Sequence, residues 1–149
     1  MGLDASIKMF QAGTKPKEII EKWNKTPELA YWRNFHELDT AWLQNERLEA
    51  NSDCFVYVSL KELLDWREIF HPLFLRYLEK VELLWEEGEE IEKWEDSFRE
   101  LADDCCQKAL GMDFCNFHYK LYRLCTLLEM AKANEEEWKD AIFVYSRSY

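Results

Sequence analysis

Glycine and proline are scarce: the chain has 4 Gly and 3 Pro in 149 residues. Turn-rich all-β domains need such breakers at every reversal, so the shortage excludes them and points to long helices. Long apolar runs are missing too. No stretch approaches about 18 consecutive apolar residues, and no transmembrane helix is expected. Met1-Gly2-Leu3-Asp4 lacks the basic region and apolar run of a signal peptide, so a cytoplasmic location is expected. Basic residues are outnumbered, 19 Lys and Arg against 30 Asp and Glu, for a net charge of −11. Lys and Arg displace counterions from a phosphate backbone, so direct nucleic-acid binding is not expected. The 5 cysteines are odd in number and irregular in spacing, which argues against a disulfide framework.

What remains is ample for a core. Hydrophobic residues make up 48% and aromatics 15%, enough for one domain over residues 1–149. Leu3, Ala5, Ile7 and Met9 alternate with Asp4, Ser6 and Lys8, as in a half-buried strand over 2–10. Gly2 and Ser6 fit the simple myristoylation pattern, but the alternation favours the strand. A short helix follows from Lys15 to Trp23. Thr26-Pro27 then predicts a helix start, with Thr as cap and Pro in the first turn, and the helix is expected to run to about Leu48.

Cys54 to Val58 is rich in β-branched and aromatic residues and reads as a strand. Ser59-Leu60-Lys61-Glu62 is a capping box for the next helix. His71-Pro72 predicts a kink or restart, with helix continuing from Leu73 to about Glu87 and Gly88 as its cap. Ile91, Trp94, Phe98, Leu101, Ala102, Cys105 and Ala109 keep helical spacing, giving an amphipathic helix over Glu89 to Leu110 that Gly111 ends. A last helix, capped by Asp113, carries Phe117, Leu121, Leu124 and Leu128 inward and stops at Asn134. Ala141 to Tyr145 reads as the final strand. The expected fold is α+β and predominantly helical, with a small sheet of about three short strands: N-terminal, middle and C-terminal.

Two groups of residues stand out. On the predicted helix through Tyr31–Leu43, Trp32, Phe35, Trp42 and Leu43 form an apolar face, and His36 and Asp39 fall inside it. A buried polar pair needs a hydrogen-bond partner, so His36 and Asp39, with Asp4 and Arg33, form a candidate polar cluster. A structural role for His36 outweighs acid–base work, which also needs a cleft and a tuned pKa. The second group is electrostatic. Residues 79–104 hold 12 acidic and 3 basic side chains, so nine of the eleven net negative charges lie there. Glu86, Glu87, Glu89, Glu90, Glu92, Glu95, Asp96, Glu100 and Asp103 make a candidate acidic interaction surface. A solvated face that keeps the protein soluble explains such a row; mimicry of nucleic acid toward a basic groove explains its concentration. Cys115 and His118 stand three apart, but structural zinc wants four convergent ligands, so neither a metal site nor any other cofactor is expected. No phosphate loop, nucleophile elbow or nucleotide fingerprint occurs.

The Met-Gly-Leu-Asp start, the Tyr-Trp-Arg motif leading to a Trp-hydrophobic pair, and the Tyr-Ser-x-Ser-aromatic tail together resemble a loose family of small, functionally uncharacterised proteins of bacteriophages and prophages. The likeness touches Met1–Asp4, Tyr31–Leu43, Val56–Leu64 and Phe143–Tyr149. Relatives carry Asn and His where this chain has His36 and Asp39, and Trp where it ends in Tyr149. Their Gly-Phe-rich loop is only poorly copied by Gly111-Met112-Asp113-Phe114. The resemblance implies phage origin and an α+β fold, and it supplies no activity.

The leading functional expectation is a non-catalytic interaction protein of phage or mobile-element type. Its partner would be a host or defence protein with a basic surface, bound through the acidic helix. An anti-defence inhibitor of anti-CRISPR type fits in size and charge, by analogy. A small enzyme or ligand-binding domain built on Asp4, Arg33, His36 and Asp39 is the alternative, and a structural homo-oligomer the third reading. One concave site holding those four residues favours the enzyme; a filled core around His36 favours the interaction protein.

Overall fold

Alternation sets the first strand. Leu3, Ala5 and Ile7 bury one side of the N-terminal stretch, which forms β1 (Asp4–Phe10). The computed structural model describes residues 2–50, 52, 54–81, 84, 94–114 and 117–149. After β1 come α1 (Pro16–Glu21), a short 3-10 turn (Trp23–Lys25), β2 (Glu28–Arg33) and α2 (His36–Trp42). Then follow β3 (Phe55–Val58), α3 (Leu60–Glu79), α4 (Asp96–Leu110), α5 (His118–Ala133), α6 (Glu135–Trp138) and β4 (Ile142–Ser148). The fold is α+β. Its single antiparallel sheet has four strands in the order β2-β1-β4-β3, not the three expected.

The extra strand corrects the reading of residues 26–48. Thr26-Pro27 starts no helix; Glu28–Arg33 pairs antiparallel with β1. Tyr31 and Trp32 are residues that favour a pleated, half-buried surface, and β1 supplies one. Asn34 then turns the chain in the left-handed region at φ 58, a conformation Asn tolerates. Its backbone N–H donates to Leu3 O at 2.7 Å, and its Oδ1 accepts from Leu3 N at 2.8 Å. Gly2 lies so close that a Cβ there would sit 2.8 Å from Asn34 Oδ1. The helix that does form is only α2.

Other signals hold. Ser59 Oγ accepts from Glu62 N at 3.0 Å, which is the cap half of the expected box. Gly111 ends α4 in the left-handed conformation at φ 69. Asn134 ends α5. At His71-Pro72 there is no restart: α3 runs unbroken through Pro72. The proline frees the carbonyl of Glu68 and lies on the exposed side of the helix, where solvent can serve that oxygen. The expected extension to Glu87 and the Gly88 cap fall largely outside the described residues, and α3 itself ends at Glu79. Asp113 does not cap α5, which starts at His118; it accepts instead from the Gln107 side-chain amide.

Cross-strand neighbours share a face of the sheet. Ala5, Trp32 and Arg147 align on the inner face, and Ser6, Tyr31 and Ser146 on the outer one. The helices α2 to α5 bury the inner face. Trp42 stacks on Trp66 at 5.5 Å and meets Tyr145 edge-on at 5.1 Å, while Trp32 meets both Trp42 and Phe35. On the outer face a smaller cluster of Phe10, Ile19, Leu48 and Val144 packs under α1 and the 3-10 turn, at one end only.

Both sheet edges are covered, which guards against strand addition. Beside β3, Leu48 N donates to Phe55 O and Tyr57 N to Glu46 O. Beside β2, Arg123 of α5 donates to Tyr31 O at 2.7 Å and Lys120 to Asn34 O at 2.7 Å. Among the described residues no helix is long and apolar enough to cross a membrane.

Trp42 is fully buried where helix, sheet and α3 meet. Trp42→Ala is expected to cost about 3–5 kcal/mol, the range for emptying such a site. A shift of the urea midpoint measures it; a midpoint unchanged from wild type would contradict this packing.

Candidate functional site

The four residues of the polar cluster do not meet. Asp4 and Arg33 are cross-strand partners on the outer face of the sheet. Asp4 Oδ1 there accepts from the Tyr31 hydroxyl rather than forming an ion pair with Arg33, and this bond raises the Tyr31 pKa. His36 opens α2 and is exposed. The buried face of α2 is centred on Leu38, Asp39 and Trp42. At about 100° per residue His36 stands roughly 110° from that centre, which takes it to solvent. The expected helix placed His36 inward because its phase was carried from Trp32, and the turn at Asn34 resets that phase.

Asp39 alone lies inward, 4% exposed. It accepts from Tyr145 Oη at 2.7 Å and from Arg147 Nη1 at 3.3 Å. Both donors come from β4, so the carboxylate bolts α2 to the centre of the sheet. Burial first, and the bond to Asp39 second, push the Tyr145 phenol far above its ordinary pKa, so it stays a donor. Tyr145 and Arg147 escaped the sequence reading. The signal was present: Phe143, Tyr145 and Arg147 are spaced two apart, so one strand face carries all three.

The acidic surface is described in part. Glu86, Glu87, Glu89, Glu90 and Glu92 lie outside the described residues. The helix expected from Glu89 is described from Asp96, and Glu95 is its N-cap residue. Trp94, Phe98, Ala102, Cys105 and Cys106 are buried, so α4 is amphipathic as the spacing predicts. Glu95, Asp96 and Glu100 are exposed. Asp103 is half-buried: its Oδ1 accepts from Phe114 N at 3.0 Å and holds the turn after α4, while the residue still lines this face. Among the described residues basic partners are few on this face. Arg99 stands 3.9 Å from Asp96, and Lys108 pairs with Asp104 at 2.8 Å. Asp96, Arg99, Glu100, Asp103 and Phe114 line a depression of about 280 Å³.

Two buried sites complete the inventory. His118 lies fully buried with Nδ1 2.8 Å from the Tyr77 hydroxyl and its ring stacked on Trp94 at 3.9 Å. Burial first, then the charge of Arg99, hold its pKa down at about 3. The neutral imidazole and the Tyr77 hydroxyl share one hydrogen bond, its direction set by the His118 tautomer. Cys105, Cys106 and Cys125 are buried; burial raises Cys105 to about 11 and Cys125 well above its ordinary value. The thiols of Cys105 and Cys125 therefore stay protonated and are poor nucleophiles. Cys115 lies outside the described residues, and among those described no three His, Cys, Asp or Glu side chains gather as metal ligands.

No protein-family profile, characterised protein or solved structure matches this chain.

Two outcomes follow. Asp39→Ala leaves the buried Tyr145 and the half-buried Arg147 without their acceptor and is expected to cost about 3–5 kcal/mol, while Asp39→Asn keeps one oxygen for Tyr145 and costs less. Equal loss in both, read by urea denaturation, would remove Asp39 from this role. His118 gives the pH dependence. The unfolded imidazole takes up a proton near pH 6.5 and the folded one only near 3, so stability is full above about 6.5 and falls as the pH drops toward 3. The slope reaches about 1.4 kcal/mol per pH unit. His118→Phe is expected to flatten that slope between pH 6 and 4; an unchanged slope would place the acid sensitivity elsewhere.

Proposed function

We propose that this chain is a non-catalytic interaction protein that binds a basic protein surface through the exposed face of α4. The observation that carries the reading is the notch between Asp96, Glu100 and Asp103, floored by Phe114, where Arg99 is the one basic lining residue among those described. Three carboxylates against one guanidinium leave it negative, and an Arg or Lys side chain of a partner fits its size and sign. The dispersal of Asp4, Arg33, His36 and Asp39 supports the same reading against an enzyme built on those four. The exposed pair Leu75 and Leu78 on α3 is the feature that favours a second copy as partner, the homo-oligomer reading.

In its specific form the proposal is an anti-defence inhibitor of a host protein, of the anti-CRISPR kind. That form rests on the resemblance to phage proteins and on the charge. A nucleic-acid-binding host protein carries the basic groove that a row of carboxylates imitates.

The test is recovery of a partner from bacterial lysate by wild type and by Glu95→Gln, Asp96→Asn, Glu100→Gln combined, with Asp103 kept for its structural bond. The expected result is a basic partner held by wild type, lost by the variant, and released as salt rises. Equal recovery by both proteins, insensitive to salt, would leave the acidic face as a solubility feature.

A further inference from the structure

The outer face of the sheet is apolar only under α1. Beyond that cluster the same face turns polar and concave, in a hollow of about 230 Å³. Its floor is a cross-strand pair of serines, Ser6 of β1 and Ser146 of β4. Tyr31 of β2 stands beside Ser6 in register and forms one wall. Trp23 and Lys8 close the end toward α1, and Asp4 lies at the open end.

Ser6 is 8% exposed, and its hydroxyl has no hydrogen-bond partner among the described residues. Ser146 is half-buried and likewise has none. Both hydroxyls open onto the hollow with no partner from the described residues, so a ligand that can both donate and accept can take the place of water on this floor. Two of the charges around it, Lys8 and Asp4, are already committed to the walls. Lys8 donates from Nζ to Trp23 O and lies 4.6 Å over the Trp23 ring. Asp4 holds the Tyr31 hydroxyl. Glu28 stands opposite Lys8 in the β1–β2 register and is exposed, so it faces solvent at the rim. An anion entering the hollow meets Asp4 and Glu28, and a cation meets Lys8 and Arg147. Neither sign is favoured. The volume falls below the roughly 300–1,000 Å³ of sites for drug-sized ligands, and suits one small ring. The Tyr31 ring offers a flat apolar flank beside the hydroxyl floor.

We propose that this hollow binds a neutral polyhydroxylated molecule of monosaccharide size, with Ser6 and Ser146 exchanging hydrogen bonds with its hydroxyls and Tyr31 lying against its carbon face. The site is separate from α4, on a different element and a different face, and stands whether or not the acidic surface binds a partner.

The experiment is an amide NMR titration of the full chain with glucose, galactose, mannose, N-acetylglucosamine and myo-inositol in turn, with sodium phosphate and methylammonium chloride as charged comparators. The expected result is a saturable shift, for one or more of the five, of amides in residues 4–8, 23–31 and 144–148. Ser6→Ala is expected to weaken that binding about fivefold to tenfold, the worth of one hydrogen bond. Ser146→Val fills the hollow from the outer face and is expected to abolish it, with the dispersed spectrum showing that either variant is folded. Three results would each overturn the proposal: no saturable shift in those amides with any of the five, shifts unchanged in the folded variants, or tighter binding of phosphate or methylammonium than of every neutral ligand.

Discussion

The last strand of the chain lies in the middle of the sheet, and the rest of the structure leans on that placement. All seven residues of β4 have partners on β1, and its other edge pairs with β3. Without β4, β1 and β2 share no strand pairing with β3, and the inner face lacks Phe143 and Tyr145 at its centre. The Asp39 carboxylate adds α2 to the same strand through Tyr145 and Arg147. Closing so long a loop costs more than closing a short one, but the cost grows only with the logarithm of length. The buried pairing of β1 with β4 offsets it.

This central strand also divides the molecule chemically. Its odd-numbered residues Phe143, Tyr145 and Arg147 enter the aromatic inner layer beside Trp42 and Trp138. Its even-numbered residues go to the outer face: Val144 under α1, and Ser146 in the polar hollow. The alternation of one strand thus builds a sealed side and an open side. Residues adjacent in sequence, such as Asp4 and Ala5, end in different solvents. A cluster inferred from sequence proximity is for this reason split by the sheet.

What the sequence disclosed follows from how local each signal is. The strands β1, β3 and β4 were legible because alternation and β-branched content lie within each segment. The caps at Ser59, Gly111 and Asn134 were legible for the same reason. Burial of Trp32, Phe35 and Trp42 was read correctly although the element around Trp32 was not, since large aromatics are buried whichever element carries them. β2 was missed because Thr26-Pro27 is a strong local helix signal, and the hydrogen bonds that override it belong to β1, far away in the chain. Asn34 was the available clue, as a residue that tolerates the left-handed turn. The mistaken phase then turned His36 inward. The acidic row was plain from composition, but the diversion of Asp103 to a backbone amide depends on how the chain turns after α4. The serine floor of the outer face carries no signal in either strand alone; it exists only once β1 and β4 are in register.

Native-state hydrogen exchange tests the central role of β4 most directly. If the sheet depends on the docked last strand, the paired amides of β1 and β4 exchange together, at the free energy of global unfolding and among the slowest in the protein. Amides of α1 and the exposed turns exchange earlier. The account is contradicted if β4 amides open at a lower free energy than those of β1, since β4 would then be an appendage to a sheet that stands without it.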